Sequence, residues 1–189
     1  MSMKNKIVAF GEIVWDMLPT GKQIGGAPLN FAFFSMSQET LAYIISAIGC
    51  DTLGRETIDT LSNTRIDLTY VQRNSLPTGQ VLIEIDANGF PKYEIMDKVA
   101  WDSIESDPKI IEFVKDSSVF CWGSLAQRSE TSRNTLITLL DALPRECLKV
   151  FDINIRQNYY SREIIENSLI RANVLKLNED ELPLVAEIL

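Results

Sequence analysis

The sequence predicts an α/β fold: a mostly parallel sheet flanked by helices, with a small β-sheet set apart from it. Three observations predict it. Short apolar runs recur along the chain, separated by helical patterns of roughly 10–14 residues, and strands joined by helices form parallel sheets with right-handed crossovers. One stretch, residues 78–95, instead alternates apolar and polar side chains, as a half-exposed antiparallel ribbon does. No internal repeat, low-complexity tract or linker divides the 189 residues, so residues 1–189 read as one domain.

The elements follow in order. KIVAF (6–10) is a continuous apolar run, expected of a strand covered on both faces. IVWDML (13–18) alternates and stops at Pro19, a more exposed strand, and a loop through Gly21 leads to QIGGAPLNFAF (23–33). A helix is expected from about Ala27 to Gln38, with Pro28 near its first position. LAYIISAIG (41–49) is a buried strand closed by glycine. Residues 51–63 have helical spacing at Leu53, Ile58 and Leu61, with Asp51 as the cap. In 78–95, Val81, Ile83 and Ile85 alternate against Leu82, Glu84 and Asp86 before a turn at Asn88-Gly89. Together with 13–18 this ribbon makes the small β appendage. The βα rhythm then returns: helix 107–116, strand 118–125, helix 129–142, strand 148–154, helix 161–172, strand 173–178 and a last helix. Leu189 ends that helix's apolar stripe without a cap, so the sequence reads as unfinished.

Composition narrows the chemistry. Apolar residues make up 46% and charged residues 23%, values ordinary for a globular chain without a membrane span. A net charge of -8 with scattered Lys and Arg argues against nucleic acid as a partner. There is no histidine. That excludes Ser-His-Asp and Cys-His catalysis and His-ligated zinc within this chain. Cys50, Cys121 and Cys147 are widely spaced in apolar surroundings and read as reduced core residues of a cytoplasmic protein, with no signal segment ahead of them. Around Gly21-Lys22 the remaining Walker A positions are wrong, and no GxGxxG or GxSxG follows a strand.

What remains is carboxylates, amides, arginines and backbone donors. Gly25 and Gly26 let backbone N–H groups approach a ligand without an intervening Cβ. Asn30, one turn into the helix, can both donate to and accept from a pair of sugar hydroxyls; equally, it can face solvent in an ordinary helix entry. Asp16 is either a hydroxyl acceptor or an exposed strand-end carboxylate. Asp152, Asn154 and Arg156 leave a buried strand at alternate positions, on one face. Asn178 ends a strand, and Glu181, three residues on, is either its capping-box partner or a carboxylate that orients hydrated Mg2+.

GGAPLNFAFFSMSQETLAYIISAIGCDTLGRETIDTL strongly resembles the N-terminal motif of the ribokinase-like, PfkB-type carbohydrate kinases. GEIVWDMLP, the segment from PTGQVLIEI to VAWD, and DINIRQNYY look most like bacterial fructokinases, and NEDE is similar to the family's Asn-x-x-Glu motif. The resemblance covers essentially the whole chain and the first part of the family's length. It implies a ribokinase-like fold in which segments 13–22 and 79–100 form a β-lid inserted in the α/β domain. It implies ATP-dependent, Mg2+-assisted phosphorylation of a sugar hydroxyl, with fructose the expected sugar and a homodimer through the lid a possible assembly. Asp16, Gly25, Gly26 and Asn30 would hold the sugar and Arg156 would contact substrate or phosphate. Asn178 and Glu181 would act at the nucleotide phosphates, Glu181 at the metal. The family's catalytic aspartate stands in a Gly-Ala-Gly-Asp motif, and no such motif occurs here. The expectation is therefore a chain that holds substrate and does not turn it over. The alternatives are a non-catalytic sugar- or nucleoside-binding remnant, or a kinase of the same family for ribose, 2-keto-3-deoxygluconate or a nucleoside.

Overall fold

The computed structural model describes residues 5–85 and 91–188. Its first strand, β1 (Asn5–Phe10), is followed by β2 (Val14–Leu18), β3 (Gly21–Gly25), helix α1 (Ala27–Phe34), β4 (Thr40–Gly49) and α2 (Thr52–Leu61). Short strands β5 (Ile66–Asp67) and β6 (Val71–Asn74) precede β7 (Gly79–Ile85) and β8 (Pro91–Ile95). The remainder alternates: α3 (Pro108–Val114), β9 (Val119–Gly123), α4 (Glu130–Ala142), β10 (Leu148–Asp152), α5 (Arg162–Arg171), β11 (Val174–Lys176) and α6 (Glu181–Ile188). Short 3-10 turns cover Ala100–Ser103 and Leu125–Arg128.

The large sheet runs β11-β10-β9-β1-β4-β5, with β6 also on β4, and every pair in it is parallel. β1 is buried on both faces, and the pleat explains how. Val8 and Phe10 enter one apolar layer with Trp101, Trp122, Leu136 and Phe151. Ala9 enters the other, with Leu29, Ala32, Ile44 and Leu61 of α1, β4 and α2. From β1 the chain goes first to β4 on one side and later to β9 on the other. Such a switch point opens a crevice beyond the strands' C-terminal ends, and that crevice positions the site.

The small sheet is β3-β2-β7-β8, antiparallel at both outer pairs and parallel between β2 and β7. The stretch expected to be a loop through Gly21 is thus a strand: Gly21–Gly25 pairs with β2, Asp16 opposite Gln23. Glycines at both ends of GKQIG mask its strand character, which comes from the partner strand. The first helix stops at Phe34 rather than Gln38. The Thr40 hydroxyl donates to the Ser35 carbonyl and accepts from the Ser37 amide, offering the backbone a local alternative to further helix. β5 and β6 were not expected; their few residues carry no periodic signal. The expected Asn88-Gly89 turn and the chain end at Leu189 lie outside the described residues. Cys121 and Cys147 are buried as expected, whereas Cys50 is exposed, because it stands in the bend between β4 and α2.

Asp51 caps α2, accepting the Gly54 N–H at 2.7 Å. The same carboxylate accepts the Thr78 N–H and hydroxyl at 2.8 and 2.7 Å, tying the helix to the start of β7.

Candidate functional site

A cleft of about 1190 Å³ opens where β1 and β10 end, walled by α1 on one side and by the small sheet on another. Gly26 makes the turn into α1 with φ 118°, a left-handed conformation, and a Cβ there would lie 2.4 Å from the Glu12 carbonyl oxygen. Gly25 packs against Asp16, whose Oδ2 would be 3.2 Å from a Cβ at that position. Gly26 answers to both a left-handed backbone and a close approach, and Gly25 to the nearness of Asp16. The Asn30 amide donates to the Gly26 carbonyl at 2.9 Å, so the asparagine rides on the first helical hydrogen bond. Its side chain is exposed and also lines the cleft. The solvent that Asn30 faces is the cleft.

Asp16, Gly26, Asn30 and Arg156 all line this one cavity, from β2, the turn, α1 and the loop after β10. Asp152 and Asn154 line it too, although not by strand alternation. β10 ends at Asp152, and Asn154 has φ 41°, as does Gln157 at 47°. The left-handed backbone turns the loop, a conformation Asn tolerates better than most residues. Arg156 donates to the Ile155 carbonyl at 2.9 Å, and the positive charge it adds reaches both Asp16 and Glu12.

The carboxylates differ in kind. Asp152 is paired with Lys176, at 2.8 and 2.9 Å to its two oxygens. Asp16 is half-buried, and loss of water raises its acid above the usual carboxylate value while Arg156 pulls it back. Glu12 is the outlier. Burial pushes it from 4.5 up to about 7, against hydrogen bonds from backbone amides and the Arg156 charge. Neither Glu12 nor Lys176 stood out in the sequence. The available signal for Glu12 was its place, an acid just past the apolar end of β1, where chain and crevice meet.

Asn178 and Glu181 do not line the cleft. They form a capping box on α6: Asn178 Oδ1 accepts the Glu181 N–H and Glu181 Oε2 accepts the Asn178 N–H, both at 2.9 Å. Glu181 Oε1 accepts the Ile155 N–H at 2.8 Å, which fastens α6 to the loop that carries Arg156. That loop also reaches the small sheet. Gln157 Nε2 donates to the Tyr93 carbonyl at 2.9 Å, and the Tyr159 hydroxyl donates to Asp97 at 2.7 Å.

Among known proteins, the chain is 28% identical to the fructokinase of Klebsiella pneumoniae over 196 residues, covering 97% of this chain and 64% of that one. A sugar kinase from Pyrococcus horikoshii, solved in complex with ATP, superposes with a TM-score of 0.81 at 21% identity, covering 96% of this chain and 66% of that one. The fructokinase of Xylella fastidiosa with bound ATP gives 0.81 at 20% identity, over 97% of this chain and 61% of that one. These structures share the ribokinase-like sheet-and-helix arrangement with this chain. The chain therefore spans a little under two thirds of the fructokinase it matches in sequence. Its residues 4–188 match the pfkB family carbohydrate kinases, and the chain belongs to that family.

Proposed function

We propose that the cleft holds a sugar, with fructose foremost, for phosphorylation at a hydroxyl by ATP. One observation carries this reading: Asp16 and Asn30, from separate elements, converge with Gly26 and Arg156 on the same cavity. A carboxylate accepts two hydroxyl protons and an amide both donates and accepts, so together they suit a polyol edge. Gly25 does not itself line the cavity; it lies buried behind Asp16 and leaves room for that carboxylate. The four-stranded sheet of β3, β2, β7 and β8 serves as the lid that excludes water from the reaction. The names of the relatives, fructokinases among them, support the sugar and the phosphoryl donor.

ATP and Mg2+ belong to the same proposal. Among the described residues no cluster of three or more His, Cys, Asp or Glu could hold a metal ion. Glu181 is 7% exposed and both of its oxygens accept backbone N–H groups. With both oxygens engaged and the side chain buried away from the cleft, Glu181 does not offer itself as a direct ligand, and its part toward Mg2+ would run through water. When bound with the nucleotide, Mg2+ would neutralise charge on the phosphates. Glu181 and Asn178 hold the Arg156 loop and the entry to α6 in register for that encounter. No Gly-Ala-Gly-Asp occurs in the 189 residues, so this chain by itself is proposed to bind sugar without transferring phosphate. A cytoplasmic setting and a homodimer through the small sheet complete the reading. Leu18, Leu82 and Tyr93 are exposed on that sheet, and no helix among the described residues is long and apolar enough to cross a membrane.

Calorimetric titration of the chain with fructose, ribose and adenosine tests the assignment. Fructose is expected to bind, with Asn30→Ala weakening it about tenfold and Asp16→Ala by about tenfold to a hundredfold. Equal affinity in wild type and both variants, or preference for adenosine, would overturn it. ATP-dependent fructose phosphorylation by the purified chain would overturn the claim that it does not turn over.

A further inference from the structure

Glu12 follows the single glycine that ends β1, and its side chain is 2% exposed. It nevertheless borders the cleft. Gly26, the N-cap of α1, brings no side chain to cap the helix, so the first helical amides have no local acceptor. Glu12 supplies one from outside: its Oε1 accepts the Ala27 N–H at 3.3 Å. The backbone carbonyl of Glu12 meets the same turn, at the position where a Gly26 Cβ would be. Its other carboxyl oxygen, Oε2, is buried without a hydrogen-bond partner.

We infer that Glu12 is a positioning residue of the cleft: its carboxyl group accepts the Ala27 amide while its backbone carbonyl packs against Gly26, and together they fix the turn from which α1 carries Asn30 into the cavity. As a role toward sugar this rests on the function proposed above; as a grip on the turn it does not. The unpartnered Oε2 defines the state in which the grip holds. An ionised carboxylate there would leave charge buried and unpaired, whereas a neutral acid does not. The groups around it are Asp16 on β2, Asp152 on β10 with its partner Lys176 on β11, Arg156 in the following loop and the buried Cys121 thiol on β9; α1 itself carries no ionisable side chain. Burial dominates over the Arg156 charge and the Ala27 amide, and holds the proton on up to about pH 7.

Glu12→Gln keeps shape, neutrality and an acceptor for Ala27. Glu12→Ala removes the grip. Fructose affinity and the backbone amide resonances of residues 25–30 are measured for the three proteins between about pH 6 and 8. The Gln variant is expected to bind within about twofold of wild type at the acid end, and the Ala variant about fivefold or more weakly. The resonances of Gly26, Ala27 and Asn30 should move in the Ala variant, and should titrate together in wild type but not in the Gln variant. Unchanged affinity and unchanged resonances in Glu12→Ala overturn the inference. If Glu12→Ala does not fold, the Gln variant decides: resonances titrating as in wild type overturn it, and loss of the titration with shifts preserved supports it. If wild type binds no fructose, the sugar reading falls, and the amide resonances alone decide the role of Glu12.

Discussion

At the scale of single residues, the cleft is made by close contacts that few side chains tolerate. Gly26→Ala would force a Cβ against the Glu12 carbonyl at a φ of 118°. We expect a loss of about 2–4 kcal/mol in denaturant unfolding, larger than a glycine-to-alanine change in an ordinary loop. Glu12 gives a pH signature with a definite sign. Its folded-state acid, at about 7, is raised from 4.5, so the folded chain binds the proton more tightly than the unfolded one. The stability it contributes is full below about 4.5 and is lost as the pH rises through about 7. Unfolding midpoints from about pH 5 to 8 should fall by the equivalent of up to about 3 kcal/mol in wild type and less in Glu12→Gln. An identical slope in both proteins would show that another group titrates. Asp16, Gly25, Gly26, Asn30 and Arg156 stand out in the sequence through the family resemblance, because each alone also reads as an ordinary turn, helix-entry or strand-end residue. Glu12 offered only its place past the end of β1, since its part depends on Gly26, which reaches it through the fold.

At the scale of elements, periodicity revealed what local chemistry dictates. β1, β4, β9 and β10 read as apolar runs because both of their faces are covered, and α2 announced itself by Asp51. The Asp51 carboxylate loses water on burial, which raises its acid, but hydrogen bonds from Thr78 and Gly54 outweigh this and lower it from the ordinary 3.8. Its stabilisation is therefore full above that value and is lost as the pH falls below it, through the lowered folded-state value. Asp51→Ala should cost about 2–3 kcal/mol, because it releases Thr78 as well as the cap. Thermal melts of Asp51→Ala and Thr78→Val can separate the two contributions; a loss under 0.5 kcal/mol, ordinary for a surface site, would count against the link. The elements that the sequence did not disclose share one property. β3, β5 and β6 are extended because a neighbouring strand pairs with them, and the early end of α1 follows from a hydroxyl network between residues 35 and 40. None of these causes leaves a period in the sequence.

At the scale of the whole molecule, Arg128 joins the root of the small sheet to the α/β body. Its guanidinium lies between the rings of Trp101 and Tyr159, at 4.0 and 4.5 Å from their centroids. It donates to Asp102 at 2.8 Å and to the Met96 carbonyl, just beyond β8, at 2.7 Å. Arg128→Met would leave Asp102 half-enclosed without its cation. We expect about 3 kcal/mol of destabilisation and faster amide exchange in β8 than in β1. Uniform acceleration across both strands would mean that the arginine supports the whole fold and not this junction. The loop after β10 makes a second junction, and its chemistry has an evolutionary consequence. Gln157 holds the Tyr93 carbonyl, a main-chain acceptor common to every amino acid, and Tyr159 donates to the Asp97 carboxylate, which lies beyond the end of β8. The side chains that β8 shows to the cleft can therefore be exchanged by mutation while the fastening persists. A lineage could vary the cleft-facing side chains of this strand without first having to rebuild its junction with the α/β body.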